Sequence, residues 1–210
     1  MSSWETGGGR IGILGGSFNP PHLGHLICAQ EAHLQLELDR VLVIPARQSP
    51  LKPIDDDPGP LHRLELCRRA VGRDARFEVS DLELHRDGPS YTADTLDQLR
   101  VLMPDSELFL IVGGDVAVGL ASWYRPERVL ELATPAVAQR RGTSRAAVDR
   151  TLAGLPRGEL AQFFRMPRIE ISSTEIRRRV RCRQPITYLV PDAVGGYIAE
   201  HRLYGGHTRS

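Results

Sequence analysis

Short runs of consecutive apolar residues alternate along this chain with longer segments of helical periodicity. The apolar runs lie at 11–14, 41–44 and 108–112, and 135–139 is a further strand candidate. An unbroken apolar run of this length is typical of a strand that is covered on both faces, as in a parallel sheet. Because a helix between two parallel strands makes a right-handed crossover, the pattern predicts an α/β fold with a single doubly wound, mostly parallel sheet. Ligands of such sheets bind at the carboxyl ends of the strands.

The segments between these runs indicate the domain organisation. Helical periodicity is found at 23–36, 61–71, 91–103, 125–132, 144–155 and 191–201, and residues 76–84 alternate like a further strand. Since no composition break marks a second domain, we expect one domain over 10–206, with loose tails at 1–9 and 207–210. The connection at 45–60 holds five prolines and three consecutive aspartates. This composition predicts a surface loop that moves in the absence of ligand.

A glycine-rich turn follows the first apolar run, in the segment 15–26 with the sequence GGSFNPPHLGHL. Glycines allow backbone N–H groups to approach an anion, and the start of a helix adds about half a positive charge. His22 and His25 are three residues apart on one face of the expected helix, so both imidazoles would point at one group. Histidine donates hydrogen bonds to phosphate oxygens whether it is neutral or charged. The segment therefore predicts a nucleoside triphosphate site.

Two other interpretations of this turn stay open on the residues alone. A Gly-Gly turn after a strand is common without any ligand, and a histidine pair can ligate a metal. Metal sites usually have three or more protein ligands, and no Cys or carboxylate lies nearby at suitable spacing. The segment matches neither the P-loop pattern nor the dinucleotide fingerprint. Strand, glycine turn, paired prolines and HxGH together favour phosphate, with no metal held by protein side chains.

A second cluster near the carboxyl end of the chain also indicates an anion site. Residues 172–175 read Ser-Ser-Thr-Glu, a capping-box pattern that predicts a helix starting near Ser173 with three hydroxyls at its positive end. Arg177 follows in the first or second turn, where its guanidinium could hold two phosphate oxygens. The alternative is that Ser172 only caps the helix and that the arginines of 177–183 form a solvated basic face.

Composition restricts the class of partner. The formal net charge is +1 and the isoelectric point is about 7.8, which argues against a dedicated nucleic-acid or membrane-surface protein. The three cysteines are far apart and form no CxxC pair, so neither a zinc ribbon nor a disulfide framework is indicated. The sequence has no apolar stretch typical of a signal peptide or a membrane span. We expect a cytoplasmic protein that binds small anions.

Four segments together resemble a known family. They are GGSFNPPHLGHL at 15–26, GPSYTADTL at 88–96, Gly-Gly-Asp at 113–115 followed by Trp123, and ISSTEIR at 171–177. With these segments the chain resembles the HxGH nucleotidyltransferases and, among them, the bacterial nicotinate mononucleotide adenylyltransferases. The resemblance extends from about Arg10 to Tyr204 and implies their Rossmann-like fold.

The resemblance implies transfer of the AMP moiety of ATP to nicotinate mononucleotide, which gives deamido-NAD and pyrophosphate. It implies that His22, His25 and Arg177 are catalytic. It implies an ATP site formed by Gly15, Gly16, Ser17, Phe18, His22, Gly24, His25, Ser172, Ser173, Thr174 and Arg177. Mg²⁺ would enter with ATP, bound mainly through the substrate phosphates rather than by a protein cage.

The implied mononucleotide site consists of Ser17, Asn19, Lys52, Tyr91, Thr92, Asp115 and Trp123. The ring of Trp123 suits stacking on a pyridinium ring, although a Trp of an α/β domain is more often a core residue. Asp115 would accept from a ribose hydroxyl or cap the next helix. Lys52 would neutralise a phosphate, but 46–52 departs from the shorter family segment, so Arg47 could take that role.

Two further groups of interpretations accompany these assignments. Arg63, Glu83 and Arg86 are interpreted as ion-pair or sheet-edge residues. For the function, the enzyme alternative is the same transfer to nicotinamide mononucleotide or another phosphate acceptor such as phosphopantetheine. The non-enzyme alternative is a nucleotide-binding sensor without chemistry. A homo-oligomer is compatible with the sequence.

Overall fold

The computed structural model describes residues 8–50, 55–139 and 145–205 of the 210-residue chain. The strands in these ranges are β1 (Arg10–Gly16), β2 (Arg40–Pro45), β3 (Phe77–Val79), β4 (Glu107–Gly113), β5 (Thr134–Gln139) and β6 (Gln162–Arg165). The α-helices are α1 (Leu23–Gln35), α2 (Pro60–Val71), α3 (Thr92–Leu102), α4 (Gly114–Ala117), α5 (Pro126–Leu132), α6 (Arg145–Ala153), α7 (Ser173–Arg181) and α8 (Asp192–Glu200). Short 3₁₀ turns lie at Leu82–His85, Leu120–Ser122 and Gly158–Leu160.

The six described strands form one parallel sheet in the order β3-β2-β1-β4-β5-β6. The chain starts in the middle of the sheet, proceeds to one edge, and then returns to build the other half. The predicted doubly wound sheet is confirmed, and all of its described strands are parallel. The direction of winding reverses between β1 and β4, so the carboxyl end of β1 borders the crevice where such sheets bind ligands.

Two layers of helices cover the sheet, and successive residues of each central strand face opposite layers. In β4, Leu108 and Leu110 pack with α3, α5 and α6, while Phe109 and Ile111 pack with α1. Burial on both faces explains why the strands read as unbroken apolar runs. In β1 a Cβ on Gly12 would lie 2.9 Å from Ile111 Cδ1, so this strand can pack closely only without a side chain there.

A third apolar cluster joins the end of the chain to α2. Leu66 of α2 packs with Ile176 of α7 and with Val194 and Ile198 of α8. The backbone N–H of Leu23 donates to the carbonyl of Leu189 at 3.0 Å, which ties the start of α1 to the segment between α7 and α8. As a result, α7 lies beside the loop that follows β1.

The structure differs from the strand predictions at two places. The strand expected over 76–84 is only three residues long, because the chain leaves the sheet edge after Ser80 and forms the 3₁₀ turn that buries Glu83. Strand β6 was not predicted, since a four-residue edge strand with one buried residue shows no apolar run.

The two ends of the chain are described only in part. Of the expected tails, the described ranges include residues 8 and 9, and the carbonyl of Gly9 accepts a backbone hydrogen bond from Glu107 at 2.8 Å. The other tail residues, 1–7 and 207–210, lie outside the described ranges. No described helix combines the length and apolar character needed to cross a bilayer.

Candidate functional site

The loop between β1 and α1 presents backbone to an open cavity. A Cβ on Gly15 would meet no atom within 4 Å, and Gly15, Gly16 and Ser17 all line the cavity. Phe18 has a positive φ of 47° and turns its side chain into the core, where its ring meets the His25 ring edge-on at 5.1 Å. The loop therefore exposes main chain on one side and supports His25 from the other.

The two histidines are arranged differently from the prediction, although they lie together. His22 precedes α1 as its N-cap residue, so the two imidazoles do not share a helix face. They stack instead, with ring centroids 3.8 Å apart and an angle of 25° between the planes. The HxGH glycine makes this possible, because a Cβ on Gly24 would lie 3.0 Å from His22 Nδ1.

The hydrogen bond between the histidines fixes the tautomer of His25. The backbone N–H of His22 donates to His25 Nδ1 at 3.2 Å. Because Nδ1 accepts this bond, the neutral His25 ring carries its proton on Nε2. His25 also lines the cavity. Its ring can therefore donate a hydrogen bond to an anion in the cavity.

The start of α7 contacts the same loop. Ser173 Oγ donates to the carbonyl of Pro20 at 2.8 Å, and Arg177 Nη1 donates to the carbonyl of Asn19 at 2.9 Å. The hydroxyl of Ser172 caps α7 by accepting from the N–H of Glu175 at 3.2 Å. Two segments that are distant in sequence thus bring two helix starts, each an anion-attracting terminus, to one loop.

The reciprocal half of the predicted capping box does not form. The Glu175 carboxylate bonds to the guanidinium groups of Arg178 and Arg179 instead. These bonds lower the pKa of Glu175 to about 2. Arg178 and Arg179 are therefore paired on the surface of α7, whereas Arg177 is buried.

One recess is lined by this loop, and a second is lined by the segment that leads into α7. The first has a volume of about 440 Å³ and is lined by the loop and His25 on one side and by Tyr91, Thr92 and Trp123 on the other. The second, of about 1440 Å³, extends from the start of α4 to Ser172. His25 borders one recess and Ser172 the other, so both motifs face open space.

Comparison with known proteins gives the family. The family model described as cytidylyltransferase-like matches residues 13–179. The chain belongs to the cytidylyltransferase-like family. A relative from Roseiflexus castenholzii, named "Probable nicotinate-nucleotide adenylyltransferase", is 45% identical over 93% of this chain and 98% of its own length. A relative of the same name from Oceanobacillus iheyensis is 39% identical, with 93% and 97% covered.

A solved structure agrees with the fold of this cytidylyltransferase-like chain. It is the Plasmodium falciparum nicotinic acid mononucleotide adenylyltransferase complexed with NaAD, with a TM-score of 0.74 and 20% identity, covering 93% of this chain and 97% of that chain. The Rossmann-like fold is confirmed. The resemblance to bacterial nicotinate mononucleotide adenylyltransferases is confirmed by the curated relatives.

Most of the predicted site residues of this family member lie around the two recesses. Those that line the first recess are Gly15, Gly16, Ser17, Gly24, His25, Tyr91, Thr92 and Trp123. Ser172 lines the second, and the exposed Thr174 follows it in the first turn of α7. Lys52 lies outside the described residues.

Asn19, which we expected to contact the mononucleotide, has a structural role instead. It is only 1% exposed. Its amide nitrogen donates to the carbonyl of Asp55 at 2.8 Å, and its amide oxygen accepts from the hydroxyl of Tyr204 at 2.8 Å. Both polar atoms of the side chain are therefore occupied within the protein, so Asn19 holds the loop in place rather than facing a ligand.

Asp115 and Arg47 also have local roles in the structure. Asp115 is exposed on α4 and turns back toward its own helix start, since its Oδ1 would lie 2.5 Å from a Cβ on Gly113. Arg47 forms an ion pair with Asp87 at 2.9 Å and donates to the carbonyls of Leu84 and Arg86. Arg47 thus braces the loop before α3, and the structure gives no support for a phosphate role.

The predicted ion-pair role of Arg63 is confirmed by its contact with Asp57, but its complete burial was not predicted. Its side chain is 0% exposed and donates to the carbonyls of Ser17, Ala46 and Arg47 and to the carboxylate of Asp57. It thereby joins the ends of β1 and β2 at the rim of the site. An arginine among leucines at the start of a helix is the only sequence signal of this role, and the same pattern is typical of a solvated residue.

Glu83 is the buried carboxyl group of the first recess. Thr95 Oγ1 donates to Glu83 Oε1 at 2.7 Å, and Arg86 in turn donates to Thr95 at 3.0 Å. Ser90 provides a further side-chain hydrogen bond. Burial raises the pKa of Glu83 above its usual value, and these hydrogen bonds, together with the charges of Arg86 and Arg63, only partly oppose the shift.

This shift predicts a pH-dependent effect of Glu83→Gln on stability. Because the folded state holds the proton of Glu83 more tightly than the unfolded state, wild-type stability falls as pH rises above the usual carboxyl pKa of about 4. The amide that replaces the carboxyl group does not titrate, so the variant lacks this dependence. We therefore expect the melting temperature of the variant, relative to wild type, to rise from acid to mildly alkaline pH. Glu107→Gln, at an exposed position, is the control; a difference that falls with pH would contradict the assignment.

Proposed function

We propose that this protein transfers the AMP moiety of ATP to nicotinate mononucleotide, giving deamido-NAD and pyrophosphate. The observation that carries the proposal is the contact of the HxGH loop with the start of α7 between two recesses. The names of the curated relatives supply the substrate class. A phosphate bound where the loop and α7 meet would have space for one ligand beside His25 and another beside Ser172, as a transfer between two nucleotides requires.

The reaction is an in-line attack by the phosphate oxygen of the mononucleotide on the α-phosphorus of ATP. The new P–O bond forms as the bond between the α-phosphorus and the oxygen that bridges the α- and β-phosphates breaks. The leaving group takes the electron pair as negative charge. Catalysis then consists of positioning and of stabilising this charge. Donation from His25 Nε2 and from the helix starts of α1 and α7 supplies that stabilisation.

The donor set around the phosphate position suits ATP that arrives with Mg²⁺. The loop and α7 offer imidazole, hydroxyl, guanidinium and backbone N–H groups, and the described residues contain no cluster of three or more His, Cys, Asp or Glu that would hold a metal. Magnesium prefers phosphate oxygens and water in such settings, where it neutralises charge on the triphosphate. The protein residues contribute hydrogen bonds to the same oxygens.

The first recess supplies the binding site for the acceptor. Trp123 presents an aromatic wall, beside Tyr91 and Tyr124, whose rings lie 4.4 Å apart. The start of α3 at Thr92 directs backbone N–H groups toward the same space, and such donors favour a carboxylate over an amide. We therefore propose nicotinate, rather than nicotinamide, mononucleotide as the preferred acceptor.

The stacking role of Trp123 leads to a selective prediction. Trp123→Ala removes an aromatic face, and stacking of this kind contributes about 1–3 kcal/mol per base. We expect binding of nicotinate mononucleotide to weaken by about tenfold or more, with binding of a non-hydrolysable ATP analogue nearly unchanged in titration calorimetry. Trp123→Phe should restore most of the affinity. Equal loss for both ligands would indicate that Trp123 is only a core residue.

Pyrophosphate release from MgATP tests the function directly. The acceptors to compare are nicotinate mononucleotide, nicotinamide mononucleotide and phosphopantetheine. We expect the highest kcat/KM with nicotinate mononucleotide and deamido-NAD as the product identified by mass. A higher value with another acceptor would reassign the substrate. If the protein binds ATP but releases no pyrophosphate with any of the three acceptors, the result would support the non-catalytic sensor instead.

A further inference from the structure

One carboxylate lies between two arginines of α7. Asp56 Oδ2 is 3.5 Å from Arg177 Nε, and the same oxygen forms an ion pair with Arg181 Nη1. Arg177 and Arg181 are four residues apart, so they occupy the same face of the helix at a distance of about 6 Å along its axis. Their neighbours Arg178 and Arg179 are paired with Glu175 and do not take part.

Arg177 is incompletely satisfied by this arrangement. Its side chain is only 8% exposed, and Nη1 donates to the carbonyl of Asn19. Its Nε is buried and makes no hydrogen bond to any described residue. Since the 3.5 Å contact with Asp56 is long for a charge-assisted hydrogen bond, an anion that approached more closely would bind better. The guanidinium thus points to a ligand other than Asp56.

The Asp56 side chain is free to leave, although the adjacent backbone is held. The carbonyl of Asp55 accepts from Asn19, and the carboxylate of Asp57 accepts from Arg63 at 2.8 Å. The side chain of Asp56, in contrast, is 46% exposed. A half-exposed ion pair contributes little to stability, because water solvates the separated charges well. Rotation of one side chain would therefore vacate the space between the two arginines.

We propose that Arg181 extends the ATP site by binding the outer phosphates beside Arg177, and that Asp56 occupies this place in the nucleotide-free protein. This inference rests on the proposed function, which places a triphosphate at the start of α7. A triphosphate that begins beside His25 and Ser173 would extend along α7 past Arg177. Arg181 then lies one turn further, within reach of the terminal phosphate through its long side chain. Pyrophosphate, the released product, carries the same phosphates.

The electrostatics determine the sign of the effect of Asp56. A carboxylate beside Arg177 lies close to any phosphate bound there, and like charges at this distance repel. Asp56 must therefore swing away before the outer phosphates bind, and its charge weakens their binding. AMP lacks the outer phosphates, so its affinity should not depend on Asp56 or Arg181.

The test compares Asp56→Asn with Asp55→Asn. Both variants remove one negative charge at adjacent positions, but only Asp56 contacts the two arginines. In titration calorimetry with a non-hydrolysable ATP analogue, we expect Asp56→Asn to bind about twofold to fivefold more tightly than wild type. Asp55→Asn should bind like wild type, and AMP should bind equally to all three proteins. Equal effects of the two variants, or weaker binding by Asp56→Asn, would overturn the proposal.

Arg181→Gln tests the second half of the site. Loss of a charged hydrogen-bond donor to phosphate should weaken binding of the ATP analogue by about tenfold and leave AMP unchanged. In the double variant Asp56→Asn/Arg181→Gln, the increase in affinity for the ATP analogue that Asp56→Asn causes should be smaller. The reason is that the Asp56 carboxylate and the outer phosphates compete for both arginines, and one of them is then absent. Unchanged affinity of Arg181→Gln for the analogue would exclude Arg181 from the site. Melting temperatures check that each variant is folded.

Tripolyphosphate separates failure of this inference from failure of the proposed function. If the protein binds tripolyphosphate in a manner that depends on Arg181, but releases no pyrophosphate from ATP with any acceptor, the function fails and the site stands. If pyrophosphate release is normal and Arg181→Gln binds both tripolyphosphate and the ATP analogue with wild-type affinity, the proposed site is wrong and the proposed function stands. If neither ligand binds to wild type, both fail.

Discussion

His25→Ala should lower kcat for pyrophosphate release by about a hundredfold or more. His25 lines the first recess and can donate from Nε2, and its ring is fixed by the His22 N–H at 3.2 Å and by the edge of Phe18. Loss of one preorganised donor to developing charge typically costs about 2.7–4 kcal/mol of transition-state stabilisation. The KM for ATP should change much less than kcat, since the donor acts most strongly on the charge that develops during transfer.

The fold should survive this substitution. Loss of the capping contact at the start of α1 should lower the free energy of unfolding by about 1 kcal/mol, which is well below the total stability of an ordinary domain. His33→Ala, in the last turn of the same helix, is the matched control and should retain wild-type kcat. Near-normal pyrophosphate release by a folded His25→Ala protein would mean that His25 takes no part in the chemistry.

Arg63→Met should produce the largest loss of stability of any substitution considered. The variant leaves the carbonyls of Ser17, Ala46 and Arg47 without their donor and leaves the Asp57 carboxylate with the Gly59 N–H but no cation. Breaking a buried charge pair by removing one partner typically costs about 3–5 kcal/mol. We therefore expect a decrease of that size in the free energy of unfolding, measured by urea denaturation. Activity should fall as well, because Ser17 belongs to the phosphate loop.

Arg68→Met is the control for this substitution, since Arg68 lies on the same helix, is half exposed and contacts Asp81 only at 3.8 Å. Its free energy of unfolding should change by less than about 1 kcal/mol. A similarly small change in Arg63→Met would show that water replaces the guanidinium at the three carbonyls. In that case Arg63 would not be the residue that joins the ends of β1 and β2.

The parallel sheet could be predicted from local sequence, and the meeting of the two motifs from the family resemblance. Strands buried on both faces must be apolar throughout, so β1, β2, β4 and β5 are visible as runs. A crossover between parallel strands places the residues after each strand on one rim, and the resemblance to the nucleotidyltransferases assigns the segments of His25 and Ser172 to one ATP site. The contacts of Ser173 with Pro20 and of Arg177 with Asn19 follow from that placement.

Other features depend on tertiary contacts that leave no pattern in the sequence. The four residues of β6 pair along β5 at an edge, and their exposure removes the apolar signal. His22 is the N-cap residue of α1 with an extended backbone of its own, so that the histidines stack rather than share a helix face. Asn19 is buried by contacts with Asp55 and Tyr204, from distant parts of the chain. Family motifs mark such residues as important without distinguishing support from ligand binding.

The crystal structure of this protein with a non-hydrolysable ATP analogue is the most direct test of the central claim, that the HxGH loop and the start of α7 bind one triphosphate. The account predicts phosphate oxygens within hydrogen-bonding distance of both His25 Nε2 and the first turn of α7, with Arg177 beside them. A triphosphate that contacts only one of these two segments, or that lies outside both recesses, would contradict it.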